Sequence, residues 1–168
     1  MRRGCHFAKP IKRLQPVMSE SGRIILMRHG RAESGAPDHA RRLTPMGKSE
    51  IAEVAKRIKE YHWTINKIRH SGYERARETA LILFQTLHPE SGIGVMEGIR
   101  PEDDVIPVRN ELEETNGLLI VSHLPFLDEL LYAFIRPHGD SDLPWFTPGT
   151  VIALEKDKKW SVAWQIRP

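Results

Sequence analysis

The stretch RIILMRHGRAES, residues 23–34, runs four apolar residues, Ile24 to Met27, straight into Arg28, His29 and Gly30. Four residues, two of them β-branched, have the length and chemistry of a strand. Consecutive apolar positions, without alternation, suit a strand buried on both faces, as in a parallel sheet covered by helices. Such a strand, ending at a guanidinium, an imidazole and a glycine, presents reactive side chains at its carboxyl end.

Working outward, the same pattern recurs. INKIRHSG, residues 65–72, reads as a second strand closing in a polar turn, and GLLIVSH, residues 117–123, as the clearest buried strand. Helices separate them. Thr44 is a good N-cap and Pro45 fits the first helical position, where its missing N–H costs nothing. Ile51, Val54, Ala55 and Ile58 then form one apolar stripe. YERARETALILFQTLH carries Ala76, Ala80, Leu83, Phe84 and Leu87 on one face and stops before Pro89. PFLDELLYAFI carries Leu127, Leu130, Leu131 and Phe134. GIGVME is a weaker strand, PVRNELEETN a short exposed helix, and GTVIALEKDKKWSVAWQI a terminal hairpin turning at EKDKK. Strand and helix alternate at least three times, which predicts an α/β domain with a mainly parallel central sheet and a C-terminal antiparallel hairpin. The expected division is a basic, disordered extension over residues 1–22 and a single domain over 23–168.

Composition narrows the function classes. The chain has 168 residues, 40% hydrophobic and 28% charged, an ordinary globular balance. No apolar run approaches the roughly 20 residues that span a bilayer. The pI of about 9.1 suggests nucleic acid, but Arg2, Arg3, Lys9, Lys12 and Arg13 crowd into the first 17 residues. The formal charge is +3, and setting those five aside leaves −2, so the folded part carries no basic excess for nucleic acid. Cys5 is the only cysteine, which excludes a disulfide framework and a cysteine zinc site.

Ligands of open α/β sheets bind beyond the carboxyl ends of the strands. Three ends here carry unusual chemistry: Arg28-His29-Gly30, His70-Ser71-Gly72 leading to Arg75, and Ser122-His123. If these strands are parallel neighbours, Arg28, Arg75, His29 and His123 converge at one edge. That set suits a phosphoryl group. Guanidinium is permanently charged and its fork matches phosphate oxygens. Gly30 would let backbone approach a ligand closely. A neutral imidazole attacks phosphorus when its other nitrogen is held by an acceptor. His6, His39, His62, His88 and His138 read as tail, loop or helix-end residues. MGKSE is no phosphate-binding loop, because Arg42 stands where the first glycine is required. GIGVMEG has the wrong glycine spacing for a dinucleotide fold.

The motif LMRHGRA resembles the signature of the histidine phosphatase superfamily. SGYERARETA resembles that family's Ser-Pro-x-x-Arg-Ala-x-x-Thr-Ala segment, with Gly72 in place of the usual proline. VSHLPFLDELL resembles the second-histidine segment, and with PWFTPGTVIALE it is similar to the SixA-like branch of phosphohistidine phosphatases. The resemblance implies an α/β/α sandwich, no metal and no cofactor. It implies that His29 becomes phosphorylated, that Arg28 and Arg75 grip the phosphoryl group, and that His123 assists. Ordinary members add a carboxylic acid as proton donor, for which Glu97 and Glu102 are the candidates. About forty residues separate Ala80 from His123, which leaves no room for a capping subdomain when each connection takes about 4–6 residues. An open site suits a protein substrate, such as a histidine-containing phosphotransfer domain. The expected protein is a cytoplasmic monomer that binds neither nucleic acid nor membrane. Two alternatives stand beside it: a phosphatase for small phosphomonoesters and a non-catalytic phosphoryl-binding module.

Overall fold

The computed structural model describes residues 22–136 and 143–168. The expected extension lies outside these, apart from Gly22, whose carbonyl already accepts from the Lys156 N–H. Six strands, β1 (Arg23–Arg28), β2 (Lys67–His70), β3 (Ile93–Val95), β4 (Leu118–Ser122), β5 (Val151–Lys156) and β6 (Trp160–Ile166), form one sheet in the order β3-β2-β4-β1-β5-β6. β1, β2, β3 and β4 run parallel, and β5–β6 is an antiparallel hairpin whose β5 pairs with β1. Four helices connect them: α1 (Pro45–Glu60), α2 (Glu74–Leu87), α3 (Val105–Leu112) and α4 (Phe126–Ile135). Among the described residues no helix is long and apolar enough to cross a membrane.

The continuous apolar runs have the reason expected of them. Successive strand side chains point to opposite faces. Ile24, Leu26, Leu118, Ile120, Ile152 and Leu154 pack with α3 and α4, whereas Ile25, Met27, Leu119, Val121, Val151 and Ala153 pack with α1 and α2. The molecule is therefore a three-layer α/β/α sandwich with two cores, and strands without a polar face are what two cores require. Ile24, Leu26 and Met27 are wholly buried; each side chain so buried contributes roughly 1.5–3 kcal/mol.

Local signals set the helix ends. Thr44 Oγ1 accepts from the Gly47 N–H at 2.9 Å, and Pro45 opens α1. The glycine of MGKSE has a packing cause: a Cβ on Gly47 would overlap the backbone of Arg31. Helix α3 differs from the expectation. It begins at Val105, capped by the Asp104 carboxylate on the Ile106 N–H at 3.0 Å, and Val105, Val108 and Leu112 are buried. Pro107 sits in its first turn, where no N–H is needed, so it does not mark the start.

Candidate active site

Sheet order makes the site. β4 lies between β1 and β2, with Arg28 level with Ser122 and His70 level with Val121. The three reactive strand ends are thus adjacent. A cavity of about 740 Å³ opens above them, and Arg28, His29, Arg75 and His123 all line it. The turn Thr147-Pro148-Gly149-Thr150 closes the β5 side. Thr150 N–H bonds the Thr147 carbonyl, Gly149 takes φ +81°, and its N–H reaches back to the His29 carbonyl at 3.0 Å. The same segment offers the Phe146 carbonyl to Arg28 Nη1 at 2.9 Å.

His29 is held at both nitrogens. Its Nδ1 lies 2.7 Å from the Gly30 carbonyl, which can only accept. Arg75 Nε, which can only donate, lies 3.0 Å from Nε2. The two bonds agree on one tautomer: the proton on Nδ1, the lone pair on Nε2, facing the cavity's guanidinium. Burial pushes the His29 pKa down to about 4, and Arg75, Arg28 and Arg41 push the same way against the Gly30 bond. The imidazole is therefore neutral at pH 7.

His123 stands beside it, the rings 5.0 Å apart between centroids. Its Nε2 is 2.5 Å from Ser71 Oγ, and its buried Nδ1 has no partner among the described residues. Burial, then the neighbouring His29 and Arg75, push its pKa down to about 3. Tyr73 packs against both the His123 ring, at 4.9 Å, and the Arg75 guanidinium, at 5.1 Å.

Comparison with known proteins gives this arrangement its family. Residues 24–100 match the model of the histidine phosphatase superfamily (branch 1). The phosphohistidine phosphatase SixA homolog of Haemophilus influenzae is 32% identical over 144 residues, 78% of this chain and 86% of the relative. The chain belongs to the histidine phosphatase superfamily. Within it the likeness is to the SixA-like branch. Phosphohistidine phosphatase SixA of Escherichia coli is 29% identical over 153 residues, 86% of this chain and 93% of that one. The solved structure of the protein histidine phosphatase SixA complexed with tungstate superposes with a TM-score of 0.77 at 27% identity, covering 86% of this chain and 96% of that one.

In this histidine phosphatase fold the cavity holds more charge than its motifs announce. Arg31 and Arg41 line it beside Arg28 and Arg75. Both come from the loop between β1 and α1, where Arg31 Nε sits 3.0 Å from each Glu50 carboxylate oxygen. Asp38, in a single 3-10 turn over Asp38–Ala40, pairs with Arg75 Nη2 at 3.0 Å and Arg41 Nη1 at 3.2 Å, and its carbonyl accepts from Arg75 Nη1. Burial works against ionisation of Asp38, but the bonds and charges of Arg75 and Arg41 prevail and hold it below the usual carboxylate range. Thr79 Oγ1 donates to the Arg75 carbonyl at 2.7 Å and accepts from the Gly30 N–H at 3.1 Å, tying the strand end to α2. Glu78 takes the Leu43 N–H at 2.6 Å and Arg42 Nη2 at 2.9 Å, so it anchors the returning loop. Ser71 and Thr79 stood in the sequence motifs without a role of their own, and Asp38, Arg41 and Glu78 escaped the sequence reading; for Thr79 the spacing from Arg75, one helical turn, signals the shared face.

Two expectations change. Glu97 and Glu102 are exposed and do not line the cavity, and Glu97 pairs instead with Arg100 at 3.3 Å. They follow β3, at the sheet's edge, and β4 does not adjoin that end through any shared strand but β2. Gly30 is small for a different reason than ligand approach. A Cβ there would come within 2.8 Å of Ile51 on α1, and its N–H is taken by Thr79.

Proposed function

We propose that this protein is a phosphohistidine phosphatase acting on phosphorylated proteins through a phospho-His29 intermediate. His29 Nε2 attacks the phosphorus of the substrate phosphohistidine, forming one P–N bond as the substrate's P–N bond breaks. The substrate ring, protonated on its other nitrogen, leaves as a neutral imidazole. Water then attacks phospho-His29, inorganic phosphate departs, and His29 returns to its starting tautomer. Arg28 and Arg75 carry the charge of the transferring group, which is the main work of phosphoryl transfer. Ser71 Oγ accepts from the Tyr73 N–H at 3.4 Å and has its own proton left for His123 Nε2. That bond orients the His123 ring, 5.0 Å from the ring of His29, to assist the transfer. Gly30 contributes its carbonyl, which fixes the His29 tautomer.

The observation that carries the reading is the single carboxylate among the described cavity-lining residues. Asp38 is ionised and bound to two arginines, so it has no proton to give a leaving alkoxide. A phosphohistidine needs none, because its imidazole brings its own. The same observation weighs against small phosphomonoesters. The neutral His29, its proton held on Nδ1 by the Gly30 carbonyl, weighs against a binding module, which has no use for an unprotonated Nε2. We place the partner among histidine-containing phosphotransfer domains and the enzyme, as a monomer, in the cytoplasm.

Acid-labile, alkali-stable label trapped during turnover of a phosphohistidine protein tests the mechanism. Label is expected on His29 alone, and His29→Ala is expected to lower turnover by roughly a thousandfold or more. Label on another residue, or full activity of His29→Ala, overturns it.

A further inference from the structure

Three of the site's side chains belong to a closed cycle, and Tyr73 closes it. Arg75 Nε donates to His29 Nε2 at 3.0 Å. The His29 ring lies 5.0 Å from that of His123, and the His123 ring 4.9 Å from that of Tyr73. The Arg75 guanidinium, 5.1 Å from the Tyr73 centroid, completes the circuit. The two ring pairs are inclined at 52° and 56°, the tilted kind of contact that aromatic rings favour over face-to-face stacking. A guanidinium within about 6 Å of a tyrosine ring is attracted by its quadrupole. Tyr73 is not among the described residues that line the cavity, so it acts on the reaction through those that do.

The backbone explains why the ring stands there. Tyr73 is the N-cap of α2, with φ −66° and ψ 141°, and its side chain makes no capping bond. Ser, Thr, Asp or Asn is what capping alone would select. The Tyr73 carbonyl takes the Ala76 and Arg77 N–H groups at 3.0 and 2.9 Å, which ties the residue to the helical turn that carries Arg75. Its own N–H reaches Ser71 Oγ at 3.4 Å, and that oxygen is 2.5 Å from His123 Nε2. Tyr73 thus meets His123 by two routes, through its ring and through its backbone.

His123 needs that support more than His29 does. Both ring nitrogens of His29 are bonded, whereas the His123 Nδ1 has no partner among the described residues. A ring bonded at one nitrogen can turn about that bond unless packing prevents it. The rings of His29 and Tyr73 supply the packing. We propose that Tyr73 is a positioning residue whose ring holds His123, after β4, and Arg75, on α2, in a fixed relation around the phosphoryl group. This rests on the phosphatase reading made above and adds to it the residue that couples two parts of the site.

The test uses phosphoramidate, which has the P–N bond and no protein, so that the site alone is read. Tyr73→Phe keeps the ring and is expected to keep kcat within about twofold. Tyr73→Leu keeps apolar bulk, and Tyr73→Ser supplies a helix cap. Each of these two is expected to lower kcat about tenfold, within what a small misplacement costs, with KM within about threefold. The melting temperature of Tyr73→Ser is expected to stay within about 4 °C of the unsubstituted protein's. In a His123→Ala background Tyr73→Leu is expected to cost only about threefold, because one of the two groups that the ring holds is gone. A loss in Tyr73→Phe as large as in Tyr73→Ser assigns the effect to the hydroxyl and overturns the proposal. Full kcat in Tyr73→Leu overturns it, as does a Tyr73→Leu loss undiminished in the His123→Ala background. A kcat that falls only in step with the melting temperature also overturns it, because the ring would then support α2 rather than the site. Failure of the unsubstituted protein to hydrolyse phosphoramidate removes the phosphatase itself, and the role of Tyr73 with it.

Discussion

On one wall of the cavity, β1, the loop after it and α2 supply Arg28, Arg31, Arg41 and Arg75, each bonded to a carboxylate or a carbonyl. On the other wall, the segments leading into α3 and α4 supply Pro101, His123 and Leu124, and those two helices flank a separate, almost wholly apolar groove. The first wall spends its acidic residues on holding arginines still. The second leaves its acidic residues facing outward. The difference follows from the chemistry: stabilising a transferring phosphoryl group needs charge fixed in place beforehand, and the first wall carries that charge.

The contrast breaks most visibly at Arg75. Lysine keeps the charge but cannot bond His29 Nε2 and Asp38 together from one planar fork. Arg75→Lys is expected to lower kcat on phosphoramidate by roughly 10²–10³-fold; a loss under about threefold would show that charge alone suffices there. Asp38→Asn is subtler. It loosens Arg75 while removing a negative charge from an anion site. We expect kcat to fall about tenfold, within what a small misplacement costs, with phosphate inhibition unchanged or tighter. If phosphate binding weakens in step with kcat, Asp38 supports the fold of the loop rather than the aim of the arginine.

The smallest effect expected is on pH. His29 and His123 are neutral in the fold, with pKa values pushed to about 4 and about 3 from an ordinary value of 6.5. Their folded pKa values are depressed, so the unfolded chain binds more protons as pH falls below about 6.5. Their contribution to stability is complete above that pH and drains as pH drops toward 4 and then 3. The acid limb of kcat/KM for phosphoramidate is expected near pH 4. A limb near 6.5 would mean that His29 is not shielded by burial and the arginine wall.

Much of the cavity's lining was legible because its parts end recognisable elements. Arg28 and His29 close an apolar run, Arg75 opens a helix, and His123 follows the most apolar strand. Asp38 and Arg41 were not legible. They sit in a polar loop, GRAESGAPDHARR, in which nothing marks two of its charges as facing Arg75, 37 residues later in the case of Asp38. Glu97 and Glu102 were misread because a carboxylate on the right connection resembles a proton donor until its side chain is placed.

The sequence by itself determined the layers. A side-chain period of two in apolar strands, and of 3.6 in amphipathic helices, is a local property, and a sheet without a polar face has to be covered twice. Only the tertiary structure decided the partnerships: which carboxylate grips which arginine, and why residue 30 has no side chain. Those depend on distances between segments far apart in the chain, and such distances exist only once the strands have taken their order in the sheet.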